Sequence, residues 1–158
     1  MYAVGIVGHG KDKFTEHSEL IARKLIDTIL VDARRKHGDI VMVSGHSPVG
    51  GIDIWAEESA QILGIPYDPK IPTTHQWDAP YGYKARNIDI AKSSNEVHII
   101  VVSNYPAGYS GRRFDHCYHC DKHPGQRASD HIKSGGCWTG WKAWELRKEC
   151  SWHVIRQS

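Results

Sequence analysis

The sequence predicts an α/β fold, a three-layer sandwich in which helices cover both faces of a mostly parallel, five-stranded sheet. Two observations support this prediction: short apolar, β-rich runs alternate with longer segments of helical periodicity, and glycine turns follow apolar runs. Right-handed crossover connections make strand order 3-2-1-4-5 the simplest arrangement. The 158 residues suffice for one domain with its own core, so a single domain is predicted over residues 1–158.

The first half of the chain alternates two strands with two helices. Residues 2–8, "YAVGIVG", predict the first strand, and the helix that follows it ends near Gly38. The apolar face of that helix consists of Ala22, Leu25, Ile26, Ile29 and Ala33. Residues 39–45, "DIVMVSG", are typical of a buried strand, and residues 52–63 predict a second helix that stops at Gly64.

The second half supplies three strands, two helices and one long connection. Residues 65–72, "IPYDPKIP", predict a short strand with prolines near its ends. The remaining helices are predicted at residues 84–92 and 136–149, and the remaining strands at residues 96–103 and 151–157. Residues 104–137 are too many for an ordinary strand-to-helix loop, so we interpret them as a Cys/His-rich insertion before the last helix.

Charge and hydropathy argue against two classes of function. The 20 Lys and Arg residues and 18 Asp and Glu residues leave a net charge of +2, with no basic block to follow a phosphate backbone. No apolar run approaches the roughly 20 residues of a membrane span, and the N-terminal segment lacks the basic leader of a secretory signal. We therefore expect a soluble, cytoplasmic protein without a nucleic-acid or membrane partner.

The turn "SGHSPVGGID" leads from the second predicted strand into the second predicted helix. Gly45, Gly50 and Gly51 allow the backbone to approach a bound group, and the helix start offers N–H donors that suit a phosphate. The turn is neither a Walker A loop nor a standard dinucleotide fingerprint, because the ending and the glycine spacing differ. The alternative is that the glycines only turn the chain and Asp53 only caps the helix. Gly8 and His9, after the first strand, form a weaker candidate of the same kind.

The loop "WDAPYGYKARN" adds side chains of the kind that recognise nucleotides. Trp77 offers an aromatic face on which a base can stack, Arg86 can donate to a phosphate, and Asn87 can contact a polar edge. Because this loop also follows a strand, its side chains are expected at the same edge of the sheet as the glycine turn.

These segments together resemble the SLOG superfamily, which includes the DNA-processing protein DprA and the cytokinin-activating LOG enzymes. The resemblance rests on "VMVSGHSPVGGIDIWAEESAQILGIP" and "ARNIDIAKSSNEVHIIV", with the Trp/Tyr-Gly loop between them, and is strongest to the small single-domain branch. It implies a Rossmann-like fold that binds a nucleotide or nucleotide-derived ligand, as a sensor or processing protein. The implied site comprises Ser44, Gly45, Gly50, Gly51, Asp53, Arg86 and Asn87.

The same resemblance leaves enzymatic activity open. LOG-type hydrolases carry P-G-G-x-G-T-x-x-E in the last strand-to-helix turn, where this chain has "SGGCWTGWKAWE". The corresponding candidates for ligand binding are Ser134, Gly135, Gly136 and Thr139. Proline is replaced by Ser134 and Glu145 lies beyond the expected position, which weakens the case for a LOG-like phosphoribohydrolase that cleaves nucleoside monophosphates.

Three carboxylates near the start of the second helix are the candidates for catalysis. Glu57 or Glu58 can act as general acid or base if its side chain faces the ligand, and Asp53 is placed to contact a ribose hydroxyl. The competing interpretation of Glu57 and Glu58 is that both are solvated charges, favoured by the helix dipole. A DprA-like nucleic-acid module is the third hypothesis, which the near-neutral charge disfavours.

The Cys/His-rich insertion predicts a structural metal site. Cys117 and Cys120 have the spacing of a zinc knuckle, and His131 and Cys137 complete a set of four ligands, with His123 as a substitute. Zinc suits mixed thiolate and imidazole ligands, and four protein ligands leave no position for a catalytic water. A redox pair of Cys117 and Cys120 is the alternative, although such pairs usually open a helix.

A stripe of tryptophans marks the last predicted helix. Trp138, Trp141 and Trp144 recur every three residues, and packing against the sheet is the simplest interpretation. Any exposed part of the stripe is a candidate surface for a homodimer.

Overall fold

The computed structural model describes residues 1–113, Cys117, Cys120 and residues 131–157. It confirms the α/β fold with a five-stranded sheet in the order β3-β2-β1-β4-β5, and every strand pair is parallel. The strands are β1 (Tyr2–Gly8), β2 (Ile40–Ser44), β3 (Tyr67–Pro69), β4 (Glu96–Val102) and β5 (Glu149–Ile155).

Four α-helices in the described residues cover the sheet. They are α1 (Glu16–His37), α2 (Ile52–Leu63), α3 (Tyr83–Ser93) and α4 (Gly136–Glu145), and a short 3-10 helix, Lys11–Lys13, precedes α1. Thr15 and Ser18 start α1 with a capping box, in which each side chain accepts from the other's backbone N–H. Gly64 ends α2 in the left-handed conformation, as predicted from its position after the last apolar residue.

The two faces of the sheet carry separate apolar clusters, because side chains alternate along each strand. On one face, Val4 and Ile6 of β1 pack against α1 and α2. On the other face, Ala3 and Val7 of β1 pack with residues of α3 and α4, including Ala143. The helices therefore form the outer layers of a three-layer sandwich.

The last helix and strand differ from their predicted limits. The helix ends at Glu145 rather than at residue 149, and Arg147 then turns the chain with a φ of +62°. The strand begins at Glu149 rather than at residue 151, because Glu149 and Cys150 pair with Glu96 and Val97 of β4. Pairing with a neighbouring strand thus overrides the helical pattern of residues 146–149.

Part of the predicted insertion, residues 104–137, lies outside the described residues: residues 114–116, 118–119 and 121–130, which include His123. None of the helices among the described ranges combines the length and the apolar character that a membrane crossing requires.

Candidate ligand site and metal centre

Three glycine turns meet at the carboxyl edge of the sheet: the first follows β1 (residues 8–10), the second connects β2 to α2 (residues 45–51), and the third precedes α4 (residues 134–136). The turn before α4 touches the end of β1, since a Cβ placed on Gly136 would lie 3.5 Å from the Cα of Gly8. The turn before α2 packs more tightly, since a Cβ on Gly51 would lie 2.5 Å from both the carbonyl oxygen of His9 and the amide nitrogen of Lys11. A side chain is therefore excluded at Gly51, whereas the contact between Gly136 and Gly8 is an ordinary van der Waals distance.

Gly45, at the end of β2, lies between a cation and a carboxylate. A Cβ placed on it would lie 2.7 Å from Nη1 of Arg86 and 2.8 Å from Oδ2 of Asp53. Nη1 of Arg86 donates to the carbonyl oxygen of Gly45 at 2.5 Å, and its Nε donates to Oδ1 of Asn87 at 2.8 Å. The guanidinium also lies over the ring of Tyr83, 5.0 Å from its centre. The structure thus brings Gly45, Asp53, Arg86 and Asn87 together.

Asp53 is buried, and its carboxylate accepts a hydrogen bond from the backbone N–H of Ser47 at 3.2 Å. Burial raises the pKa of Asp53 from 3.8 to about 6, although Arg86 and the Ser47 N–H act in the opposite direction. Burial likewise lowers the pKa of Arg86. The Asp53 side chain therefore changes from negatively charged to neutral as the pH falls through mildly acidic values.

Asp53→Asn should remove a pH dependence of stability. Between pH 4 and pH 6 the folded state holds a proton on Asp53 that the unfolded chain releases, so this residue's contribution is largest below pH 4 and falls as the pH rises. A shift of this size corresponds to up to about 3 kcal/mol. Asparagine does not titrate and keeps an acceptor for Ser47. The free energy of unfolding in urea, variant minus wild type, should therefore rise from pH 4 to pH 7.

The exposed Asp32→Asn provides the control for this pH series, and its difference from wild type should show no such rise. A difference between Asp53→Asn and wild type that stays constant across the range would contradict the raised pKa.

Glu57 and Glu58 have different environments, although they are adjacent in sequence. Glu57 is buried and accepts hydrogen bonds from Oγ of Ser44 at 2.9 Å and from Nδ1 of His46 at 2.8 Å. The interpretation of Glu57 as a solvated charge is therefore wrong. Glu58 is exposed, and its carboxylate lies 2.7 Å from Nη1 of Arg23 on α1, so the structure does not bring it to the glycine turn.

His46 is a candidate functional residue that the sequence patterns did not single out. It has a φ of +50°, in the left-handed region that few non-glycine residues adopt, and its side chain is 43% exposed. Because the carboxylate of Glu57 accepts at Nδ1, that nitrogen carries a proton, and in the neutral tautomer Nε2 carries the lone pair. The sequence feature that could have identified His46 is its position between the glycines of this turn.

Several predicted ligand-binding residues lie beneath the turns. His9 is 4% exposed, its Nδ1 accepts from the N–H of Val102 at 3.1 Å, and burial lowers its pKa to about 3. Oγ of Ser134, also buried, accepts from the N–H of Gly136 at 3.0 Å, and Thr139 is buried as well. In this conformation these side chains support the turn, whereas Gly135 is exposed.

Aromatic side chains stand beside the turns. Trp77 is 41% exposed and meets Trp138 of α4 edge to face, with ring centres 5.0 Å apart. Trp138 in turn packs against Trp141 at 5.8 Å, while Trp144 is 43% exposed. The predicted stripe is therefore partly packed and partly exposed, and a homodimer through Trp144 stays a prediction that analytical ultracentrifugation can test.

Four predicted metal ligands converge in one buried cluster. Nε2 of His131 lies 3.6 Å from Sγ of Cys117 and 3.4 Å from Sγ of both Cys120 and Cys137, and the sulfurs of Cys120 and Cys137 are 3.7 Å apart. In a tetrahedral site with metal–sulfur distances of about 2.3 Å, ligand atoms are separated by about 3.6–3.8 Å. All four ligand atoms lie within 4.8 Å of one another, so the arrangement fits a structural metal ion.

The electrostatics of the cluster also favour a cation. Hydrogen bonds with Cys120 and Cys137 hold the pKa of Cys117 below its usual range, whereas the contacts with Cys117 and Cys120 raise the pKa of Cys137. Without a cation Cys137 therefore stays protonated beside the Cys117 thiolate, and deprotonation of all the cysteines of the cluster requires a bound positive ion. Nδ1 of His131 is buried without a hydrogen-bond partner among the described residues, whereas the second ring nitrogen of a ligating histidine usually donates to a carboxylate, a carbonyl or water. Cys150 is separate from this cluster, and burial raises its pKa to about 11.

The metal cluster and the third glycine turn are adjacent. Sγ of Cys117 lies 3.7 Å from the carbonyl oxygen of Ser134, and Cys137 is the second residue of α4. Nε1 of Trp152 on β5 donates to Sγ of Cys137 at 3.4 Å. Residues 134–136 are thus held between two ligands of the cluster.

An open groove of about 780 Å³ lies beside the start of α1 and the ends of β4 and β5. Its lining includes His17, Asn104 and Arg156. Among the residues that the structure describes, the lining of this groove includes none of the predicted ligand-binding residues. The groove and the glycine turns are therefore separate features, and Arg156 offers a control for Arg86.

The architecture defines the chain as a Rossmann-like α/β protein. No protein-family model matches it, and no curated protein sequence matches it significantly. A similar solved structure is that of the molybdenum cofactor carrier protein MCP from Chlamydomonas reinhardtii, with a TM-score of 0.58 and 15% sequence identity. The match covers 99% of this chain and 78% of that one. Because the sequence identity is 15%, this structural match shows only that the two proteins have a similar fold.

Proposed function

We propose that this protein binds a nucleotide or nucleotide-derived ligand across the glycine turns, as a sensor or processing protein of the SLOG superfamily. The observation that carries the proposal is the position of Arg86, held against the backbone of Gly45 and beside Asp53. Ligands of open α/β sheets usually bind at the carboxyl ends of the strands, which is the edge where this arginine lies.

Arg86 suits the anionic part of such a ligand. Within the described residues its hydrogen bonds use Nη1 and Nε, so the Nη2 amino group is left to donate to a phosphate. Tyr83 beneath the guanidinium and Asn87 beside it restrict its orientation. A preoriented guanidinium loses less conformational freedom when an anion binds.

Trp77 suits the planar part of the ligand. Its half-exposed ring is braced by Trp138, so an aromatic face is available at the edge of the turns without a large side-chain rearrangement. Stacking of a base on an aromatic side chain contributes about 1–3 kcal/mol in nucleic-acid complexes. A phosphate at Arg86 and a flat ring at Trp77 together define a nucleotide-like molecule. The carrier of a molybdenum cofactor offers a precedent for a small ligand on this fold.

The cysteine cluster is proposed to hold zinc. Three thiolates and one imidazole form a soft donor set that zinc favours, and four protein ligands make the site structural. When bound, the ion supplies positive charge that keeps the thiols deprotonated. Cys117 and Cys137 then fix the third glycine turn, next to Gly8.

Arg86→Gln should weaken ligand binding by about 10- to 100-fold, because it removes charge-assisted hydrogen bonds worth about 1.5–3 kcal/mol. Isothermal titration calorimetry with a panel of nucleoside monophosphates, and with the molybdenum cofactor as a separate arm, measures the change. Arg156→Gln is the matched control in the neighbouring groove and should bind like wild type. Loss of binding in Arg156→Gln but not in Arg86→Gln would move the ligand to the groove, and no binding of any nucleotide would overturn the proposal.

Hydrolysis of the bound nucleotide at its N-glycosidic bond is the second candidate function, and the His46–Glu57 pair is the observation that favours it. Glu57 orients His46 and leaves Nε2 as a basic nitrogen at the glycine turn. Release of free base from nucleoside monophosphates by the wild type, and its loss in His46→Gln with binding retained, would support the hydrolase. Nucleotide binding without release of free base would instead support the sensor function.

A further inference from the structure

A second group of titratable side chains lies on the face of the sheet opposite the cysteine cluster. Glu96 and His98 of β4 are two residues apart, so both side chains point to the same face. His153 of β5 shares that face, because it pairs with Ile100, which is two residues beyond His98. Val97 and Ile99, which alternate with these residues, pack with Cys137 on the other face. The group is therefore separate from the metal centre described above.

Glu96 fixes the tautomer of His98. Its Oε2 is hydrogen-bonded to Nε2 of His98, and its Oε1 accepts from the hydroxyl of Tyr2 at 2.7 Å. Nε2 of His37 lies 4.0 Å from the same Oε1, and the His37 ring stacks on Tyr2. Since a carboxylate only accepts, Nε2 of His98 carries the proton, and in the neutral ring Nδ1 presents a lone pair. Nδ1 accepts a hydrogen bond from Nε2 of His153 at 2.9 Å, and a metal ion bound between the two nitrogens would replace the proton of that bond.

We propose that His98 Nδ1 and His153 Nε2 form a chelating site for a divalent transition-metal ion, with Glu96 as the carboxylate that orients His98. Two imidazole nitrogens on one ion, each about 2.0–2.1 Å from the metal, are separated by about 2.9–3.4 Å at angles of 90–110°. The observed separation of 2.9 Å lies at the lower end of that range. A carboxylate that accepts from the second ring nitrogen of a ligating histidine is a recurrent feature of metal sites.

Solvent reaches this pair from the side of His153, so water can supply the remaining ligands of the metal. β5 is an edge strand, and His153 is partly exposed, as is the side chain of His98 to 12%. Imidazole ligands favour nickel, copper and zinc, and affinity rises from nickel to copper. This site therefore differs in chemistry from the cysteine cluster: it has two neutral nitrogen ligands and open positions, where the other has three sulfurs and is closed.

The test is nickel binding to the full-length protein whose cysteine cluster has first been loaded with zinc. Isothermal titration calorimetry should find one equivalent of nickel bound while the zinc content stays constant. His98→Gln and His153→Gln should each weaken nickel binding at least about tenfold, and Glu96→Gln should weaken it about 10- to 100-fold through the orientation of His98. His17→Gln, which removes an exposed histidine on α1, is the matched control and should bind nickel like wild type.

Histidine resonances shifted by paramagnetic nickel should belong to His98 and His153, a readout that does not depend on stability. Unchanged nickel affinity in both histidine variants would overturn the proposal. Displacement of zinc without further uptake of nickel would also overturn it.

Discussion

Cys117→Ser should release the metal, destabilise the protein and weaken nucleotide binding in the same variant. The substitution removes one of four ligands from a fully buried cluster, and structural metal sites contribute many kcal/mol to folding. We expect the free energy of unfolding in urea to fall by more than about 3 kcal/mol. Because Cys117 lies against Ser134 and Cys137 opens α4, the third glycine turn loses its support as well.

Cys150→Ser is the matched control for this experiment, since Cys150 lies outside the cluster. It should keep the metal, measured by elemental analysis, and should bind ligand like wild type. A wild-type protein that is folded and free of metal would contradict the structural role of the cluster. Loss of metal in Cys117→Ser with unchanged nucleotide affinity would separate the metal centre from the ligand site.

Gly51→Ala should be among the most destabilising single substitutions in the chain. Gly51 has a φ of +85° and a ψ of −144°, which L-residues avoid, and its Cβ would lie 2.5 Å from backbone atoms of His9 and Lys11. The strained backbone costs about 1–3 kcal/mol, and displacing the neighbouring turn adds about 1–3 kcal/mol more. Urea unfolding measures the sum.

Gly38→Ala isolates the steric part of this effect. Gly38 has nearly the same backbone conformation, with a φ of +76° and a ψ of −129°, but a Cβ on it would meet nothing within 4 Å. Gly38→Ala should therefore show the strain alone and leave ligand binding intact. Equal losses of stability in the two variants would mean that the turns before α2 and after β1 are not closely packed.

The residues of the candidate site were predictable where a local pattern marks them. Gly45, Gly51 and Arg86 follow predicted strands or open predicted helices, and the parallel sheet brings those positions to one edge. Cys117 and Cys120 are marked by their spacing, which suits one metal ion whatever the surrounding fold. These signals are short in sequence and do not depend on distant contacts.

Other features required the folded chain. Glu57 and Glu58 are equivalent by composition, but successive helical residues point about 100° apart, so one reaches Ser44 and the other faces α1. The functional potential of His46 likewise depends on the buried carboxylate that orients it.

The sequence by itself determined the alternation of strands and helices, the strand order and the residue types available to hold a metal, because hydrophobic periodicity and turn residues are local properties. Only the tertiary structure decided that His131 meets the three cysteines and that β5 starts at Glu149. It also brought His98 and His153 together. Each of these depends on the register of neighbouring strands or on contacts between distant segments, which local periodicity does not encode.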